Sequence, residues 1–400
     1  MSGSQVSLVI MTGSGGGSEV ERMVALARQA ITLDTVERAL AVEAIGRIVL
    51  ATDSASLAES LPCPEPVEGR GKPVLIELGT PGEEFHFGQR LRELINSQGL
   101  ERVFYIGGGS SALLSGEEMG HIAETLLSAE ELVIANNFYS TDFAAFVPAK
   151  AINSIEPSTL TLDNDLAWRL VKRAGLPCKE LPRNAATQLD VDTPSDLMTL
   201  KPHPGVGPHT RRYLDSLKLD TSHIELALKL FTDRKAEVLV AGRVSASTWA
   251  YLESETACRV RLFAEERGMR ASGRQAQGEA VSLLGFYLEE VGFERFFATL
   301  AKMGQAAFLD SRVLFAHRRI WPSAADRFYS DLRQAEKIND PWVRRFTQAA
   351  IEAPIPVILG GHSLVSGGLY ALVEAAWARG VDLARHVEQK HRSEVMKCLK

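Results

Sequence analysis

The chain has 400 residues, 45% of them hydrophobic and 24% charged, with a formal net charge of −6. That profile excludes a fibrous or disordered chain, and the length implies two domains or three. No run of roughly 18 apolar residues exists to span a membrane, and no basic stretch leads an apolar signal core, so the expected location is the cytoplasm.

Charge is uneven along the chain. Residues 1–200 carry 15 Lys+Arg against 27 Asp+Glu, and residues 201–400 carry 29 against 23. A basic second half suits a phosphorylated partner or an acidic first half equally well. No Lys/Arg block, zinc finger or RNA-binding aromatic signature points to nucleic acid. Cys63, Cys178, Cys258 and Cys398 are scattered without a CxxC pair, so reduced thiols are expected rather than a disulfide framework or a zinc site.

Short β-branched runs at residues 6–11, 47–52, 74–78, 102–106 and 132–135 predict strands, each followed by a polar or Gly-rich turn. Helical spacing lies between them, for example at 19–30, 88–95 and 117–127. This alternation builds a mainly parallel sheet covered by helices, with ligands at the carboxyl ends of the strands. The turn Thr12-Gly13-Ser14-Gly15-Gly16-Gly17-Ser18 follows the first strand, where backbone N–H groups can cradle phosphate. It completes neither a dinucleotide GxGxxG, because Ser18 holds the last position, nor a Walker loop, which ends in Gly-Lys-Ser/Thr. The segment 63–71, with two prolines and two glycines, reads as a surface loop.

Asp190-Val191-Asp192-Thr193-Pro194-Ser195-Asp196-Leu197 places two carboxylates one residue apart before a helix start. Thr193 as N-cap, Pro194 at the first helical position and Asp196 at the third serve the helix locally. Asp190 and Asp192 would share one face of an extended segment and could hold a hard divalent cation; an acidic loop with no ligand accounts for them as well.

The first 200 residues resemble the nucleotidyltransferase branch of the GT-A fold, in particular 2-phospholactate guanylyltransferases and molybdenum-cofactor guanylyltransferase-like proteins. The resemblance rests on the Gly-rich first loop, on Ile48-Val49-Leu50-Ala51-Thr52-Asp53, on Phe87-Gly88-Gln89-Arg90-Leu91, on Tyr105-Ile106-Gly107-Gly108-Gly109-Ser110-Ser111, and most specifically on Asp190 to Leu197. It implies transfer of a nucleotidyl group from an NTP to a small phosphorylated acceptor in cofactor biosynthesis. Gly13, Gly15, Gly16, Gly17, Gly108, Gly109 and Ser110 would receive the nucleotide, and Asp190 and Asp192 would hold Mg²⁺. Members of that family usually carry an Asp where this chain has Gly109-Ser110-Ser111, and basic residues after the first glycines where this chain has Ser18, Glu19 and Val20. The alternative is therefore a noncatalytic nucleotide- or ligand-binding scaffold. Asp142 stands as a replacement ligand or as an exposed turn residue.

The segment 201–208, with three prolines and two glycines, predicts a boundary between an α/β domain at 1–200 and a mainly α-helical domain at 209–400. Helical spacing recurs there at 224–231, 246–255, 259–267, 280–291, 293–302, 324–335 and 341–352. Trp249, Tyr251, Phe286, Phe296 and Phe297 read as helix packing, and Arg259, Arg261, Arg267, Arg270 and Arg274 as solvated faces or a positive rim. Residues 356–365 look like a strand entering a GxSxG elbow at Ser363, with Asp382, His386 and His391 following, but Val365 replaces the last glycine and the preceding elements read as helical. A serine hydrolase is the minor alternative.

Overall fold

The computed structural model describes residues 5–61, 72–80 and 85–379. The loop expected at 63–71, Cys398, Asp382, His386 and His391 lie outside them. The chain divides into two compact units, Met1–Asp192 with Gly207–Leu217, and Thr193–Val206 with Lys218–Lys400. The Pro/Gly-rich segment is thus not crossed once: the chain leaves unit 1 after Asp192, returns to it for eleven residues, and leaves again.

Unit 1 is built on seven strands: β1 (Val6–Thr12), β2 (Ile45–Thr52), β3 (Val74–Leu78), β4 (Val103–Gly107), β5 (Leu132–Ala135), β6 (Phe143–Val147) and β7 (Cys178–Glu180). Their order is β3-β2-β1-β4-β6-β5-β7, parallel except for β6, which runs antiparallel to β4 and β5. Strand residues alternate between two cores, as a period of two requires. Val9, Val49, Val103 and Tyr105 face the helices Phe87–Ser97 and Leu166–Ala174. Leu8, Ile10, Ile48, Phe104 and Ile106 face Glu19–Ala41 and Gly116–Leu127. The helix after β1 and the helix before β4 lie on opposite faces, so the order in which strands are added reverses between β1 and β4. Ligands of such sheets lie outside that switch point.

The helix Glu19–Ala41 opens with a capping box, Ser18 and Glu21. Farther along it, buried Asp34 accepts from the backbone N–H groups of His209 and Thr210, both at 2.9 Å. A carboxylate distant in sequence thereby caps the helix Pro208–Ser216 and draws that segment into unit 1. Gly207 permits the approach, since a Cβ there would lie 2.3 Å from Asp34 Cγ.

Among its described residues unit 2 holds more helix than strand, but the helices enclose a four-stranded sheet of which only the strand before Ser363 was expected: β8 (Glu237–Gly242), β9 (Arg259–Ala264), β10 (Ala306–Asp310) and β11 (Val357–Gly360), all parallel, in the order β11-β10-β8-β9. Residues 259–264, expected as helix, form the edge strand β9. Val260 and Leu262 face one core there while Phe263 faces the other. The helical stretch Leu283–Leu300 breaks at Gly292, φ 76°, where two helices were expected to meet. The β8–β9 connection, Ala246–Glu255, packs on one face. Those between β9, β10 and β11 pack on the other through Leu284, Phe296, Val343 and Phe346. This sheet also has a switch point, between β8 and β10. Among the described residues no helix is long and apolar enough to cross a membrane.

Candidate functional site

The carboxyl ends of β1 and β4 meet at glycines. Gly108 N–H donates to Met11 O at 2.9 Å, and a Cβ on Gly108 would lie 2.3 Å from Thr12 Oγ1. Gly109 is packed as closely against the acidic motif: its Cβ would lie 2.6 Å from Asp190 Oδ1, and its carbonyl accepts from Val191 N–H at 3.1 Å. Only glycines let the β4 turn approach both segments. Ser110 is buried, and its hydroxyl donates to Gly107 O and Asp142 O at 2.9 and 3.1 Å, so it holds the turn together.

Four aspartates surround this turn. Asp142 sits just before β6 and is fixed by Asn136, whose Nδ2 donates to its carboxylate at 2.9 Å and whose Oδ1 accepts from its N–H at 3.0 Å. Asp163 accepts from Tyr105 Oη at 2.8 Å. Asp190 and Asp192 bracket Val191. Burial, then the charge of Asp163, pushes Asp142 up to about 8, with Asn136 pulling the other way. Asp163 is pushed up to about 6, mainly by burial. Asp190 is held well above the usual carboxylate range by burial and by the charges of Asp192 and Asp142. Tyr105, buried beside Asp163, is pushed up as well. Against these acids stands Arg28, whose Nε donates to Val191 O at 2.6 Å and whose Nη2 pairs with Asp192.

The structure thus brings Asp190, Asp192, Gly108, Gly109 and Ser110 together, adds Asp142, and adds two residues that sequence reasoning missed. Asp163 lies in a three-residue 3₁₀ turn with no periodic signal. Arg28 lies one residue C-terminal to Ala27, on a helix whose charges carry no pattern. The loop Gly13, Gly15, Gly16 and Gly17 is exposed and already engaged. Asp53 accepts from Ser14 N–H at 2.5 Å and from Ser14 Oγ at 2.9 Å, Glu21 accepts from Ser18 N–H at 3.1 Å, and Arg22 donates to Gly17 O at 2.7 Å. Gly15, φ 84°, is required by its contact with Ala25, which a Cβ would approach to 2.2 Å.

The acidic motif divides between the units. Thr193 to Asp196 belong to unit 2, where the Asp196 carboxylate accepts from Thr193 N–H at 2.7 Å and from Thr193 Oγ1 at 2.9 Å. The elbow residue Ser363 in unit 2 follows β11 and enters a turn in which its carbonyl accepts from Ser366 and Gly368 N–H. The elements before it alternate, contrary to expectation. Among the described residues the one trio of metal-type side chains within 4.8 Å of one another is Asp34, Glu37 and His209. The cap on the helix Pro208–Ser216 accounts for Asp34 and the His209 backbone, and Glu37 Oε1 meets His209 Nε2 at 2.7 Å.

No family model matches the chain, and no curated protein matches it. Among solved structures the chain is similar to a cytidylyltransferase from Leptospira borgpetersenii, at 14% identity over 53% of this chain and 91% of that one, TM-score 0.36. It is similar to a CMP:2-keto-3-deoxy-manno-octonic acid synthetase complexed with CTP, at 14% over 48% and 95%, TM-score 0.33. A 4-diphosphocytidyl-2C-methyl-D-erythritol synthase from Anaerococcus prevotii matches at 15% over 48% and 93%, TM-score 0.33.

Proposed function

We propose that unit 1 is a metal-dependent nucleotidyltransferase acting on a small phosphorylated acceptor. The observation that carries this reading is the convergence of Asp142, Asp163, Asp190 and Asp192 on the glycine turn at the β1/β4 switch point, with one cation, Arg28, among them. Like charges this close raise one another's pKa, and clefts holding such groups are where chemistry is done. Thr12 Oγ1, buried at the same point, has no hydrogen-bond partner among the described residues. The donor set suits Mg²⁺, which takes one or two carboxylates and completes its shell with water and substrate phosphates rather than needing a full protein cage. Asp190 and Asp192 would hold it, with Asp142 in the place of the acid that Gly109-Ser110-Ser111 lacks. Bound there, the ion would stabilise charge on the transferring phosphoryl group.

In the reaction an acceptor phosphate oxygen attacks the α-phosphorus, a new P–O bond forms, the α–β bridge breaks and pyrophosphate leaves. Gly108 and Gly109 let the β4 turn close on Thr12 and Asp190 and so gather the acids at the strand ends. Arg28, near Asp192, is placed to offset phosphate charge.

Nucleotide binding, measured for the four NTPs with and without Mg²⁺, tests this. Asp192→Asn and Asp190→Asn should weaken the Mg²⁺-dependent part by about tenfold or more while the fold persists. Equal affinity in variants and parent would refute the metal assignment. One observation favours a noncatalytic binding role instead: two N–H groups of the first loop are occupied by Asp53 and Glu21, carboxylates that a triphosphate must displace. Mg²⁺-dependent NTP binding without pyrophosphate release, across phosphorylated acceptors, would select that reading.

A further inference from the structure

Unit 2 carries a second switch point, and charged side chains are gathered at it. Gly242 ends β8 with φ 126°, and a Cβ there would lie 2.3 Å from Asp310 Cβ, so the ends of β8 and β10 touch. The Asp310 side chain is fully buried. It receives Arg243 Nε at 2.5 Å and Nη2 at 3.1 Å, and the backbone N–H groups of Arg243 and Arg312 at 3.4 and 3.3 Å. Behind it, buried Arg312 forks onto buried Asp331 at 2.5 and 2.6 Å and reaches Ser311 Oγ at 2.9 Å. Burial works against ionisation of Asp310, yet Arg243, His362 and Arg312 hold it below the usual range.

Buried ion pairs add little net stability compared with apolar packing, so two at one sheet edge are not explained by folding. Their arrangement has a chemical direction. Asp310 spends both oxygens on Arg243 and on backbone N–H groups, and Asp331 spends both on Arg312. Arg243 spends Nε and Nη2 on Asp310, while its Nη1 has no partner among the described residues and the side chain keeps 12% exposure. What the pair offers outward is a rigid N–H edge with its charge oriented by a buried acid, beside the capped start of the helix Ala246–Glu255. We infer that the carboxyl edge of the second sheet binds an oxyanion, the phosphate or carboxylate group of a small ligand, at Arg243 between the ends of β8 and β10. The site lies wholly within unit 2 and does not depend on the nucleotidyltransferase reading.

The test uses the full chain at low ionic strength, titrated calorimetrically with inorganic phosphate and, separately, with acetate. Binding of at least one anion should appear below about 10 mM. It should weaken by about tenfold or more in Arg243→Lys, which keeps a charge on Asp310 but loses the planar edge, and in Arg243→Gln combined with Asp310→Asn, which leaves no buried charge unpaired. Thermal melts report whether each variant folds, and either folded variant suffices. Arg183→Gln, on the other unit at the exposed pair with Glu180, should leave the affinity in place. No binding of either anion by the parent, equal binding by a folded Arg243 variant, or loss of binding in Arg183→Gln would overturn the inference.

Discussion

Both sheets bring charged groups to a switch point pinched by a glycine, Gly108 against Thr12 in unit 1 and Gly242 against Asp310 in unit 2, yet the two edges are wired in opposite ways. In unit 1 four aspartates share one arginine, and the buried ones are driven toward the protonated form. In unit 2 each of two buried aspartates has its own arginine fork, and Asp310 is held ionised. At Asp310 the neighbours outweigh burial, whereas at Asp331 burial outweighs Arg312 and pushes the carboxyl up. A surplus of carboxylate is a site that waits for an external cation, whereas a closed set of ion pairs is a site already neutral that can turn its spare donors outward.

The largest expected effect breaks the closed set. Arg312→Met should leave Asp331 buried without its partner and cost about 3–5 kcal/mol in urea denaturation. A loss under about 1 kcal/mol would mean that the pairing is dispensable and the contrast overstated.

A second experiment uses pH. For Asp163 and Asp142 the folded-state values lie above the ordinary carboxylate value of 3.8, at about 6 and about 8. The folded state therefore binds the extra protons, and the stability they contribute is complete below the ordinary value and lost as pH rises through the raised ones. For Asp310, held below the ordinary value, the contribution is present above that value and lost as pH falls. The groups facing Asp142 are Asp163, Asp192 and Asn136, and its own charge pushes Asp190 and Tyr105 up. Asp142→Asn should accordingly raise the melting temperature at pH 8 to 9 more than at pH 5, by roughly 2–4 °C per kcal/mol of repulsion relieved. An identical shift at both pH values would show that Asp142 carries no repulsion.

The smallest effect is expected beside His362. Ser363→Ala should cost at most about 2 kcal/mol and remove no chemistry, and a fluorophosphonate probe should leave the protein unlabelled, because Val365 stands where the strained turn of a nucleophile elbow needs its last glycine. Stoichiometric labelling that disappears in the variant would make the second edge nucleophilic rather than ionic.

The first five strands of unit 1 were legible because each is a short β-branched run closed by a turn. β6, Phe-Ala-Ala-Phe-Val, has no alternation because all five residues are buried. β7 is three exposed residues with nothing apolar to read. In unit 2 the strands are brief and the helices long, so helical spacing dominated; β9 begins Arg-Val-Arg-Leu, and its alternation was read as a helix face. Asp190 and Asp192 could be found because one residue separates them. Asp163 and Arg28 could not, since their meeting with the motif depends on how β4 and the helix Glu19–Ala41 are placed, and that placement is tertiary. The charges of unit 2 are similarly remote in sequence, Arg243 and Asp310 standing 67 positions apart.

The return of residues 207–217 to unit 1 bears on how the protein is made. Synthesis proceeds from the N-terminus, and domains generally fold as they emerge. Here the first unit cannot finish when its last strand appears, because the two backbone donors that satisfy Asp34 arrive with His209 and Thr210, after a stretch that belongs to the second unit. Until then a carboxylate destined for the interior remains uncapped on the helix Glu19–Ala41, and the nascent unit stays less stable than its sheet alone would suggest. A nascent chain released after residue 206 should therefore be digested faster by protease than one released after residue 217, although both contain every strand of the first sheet.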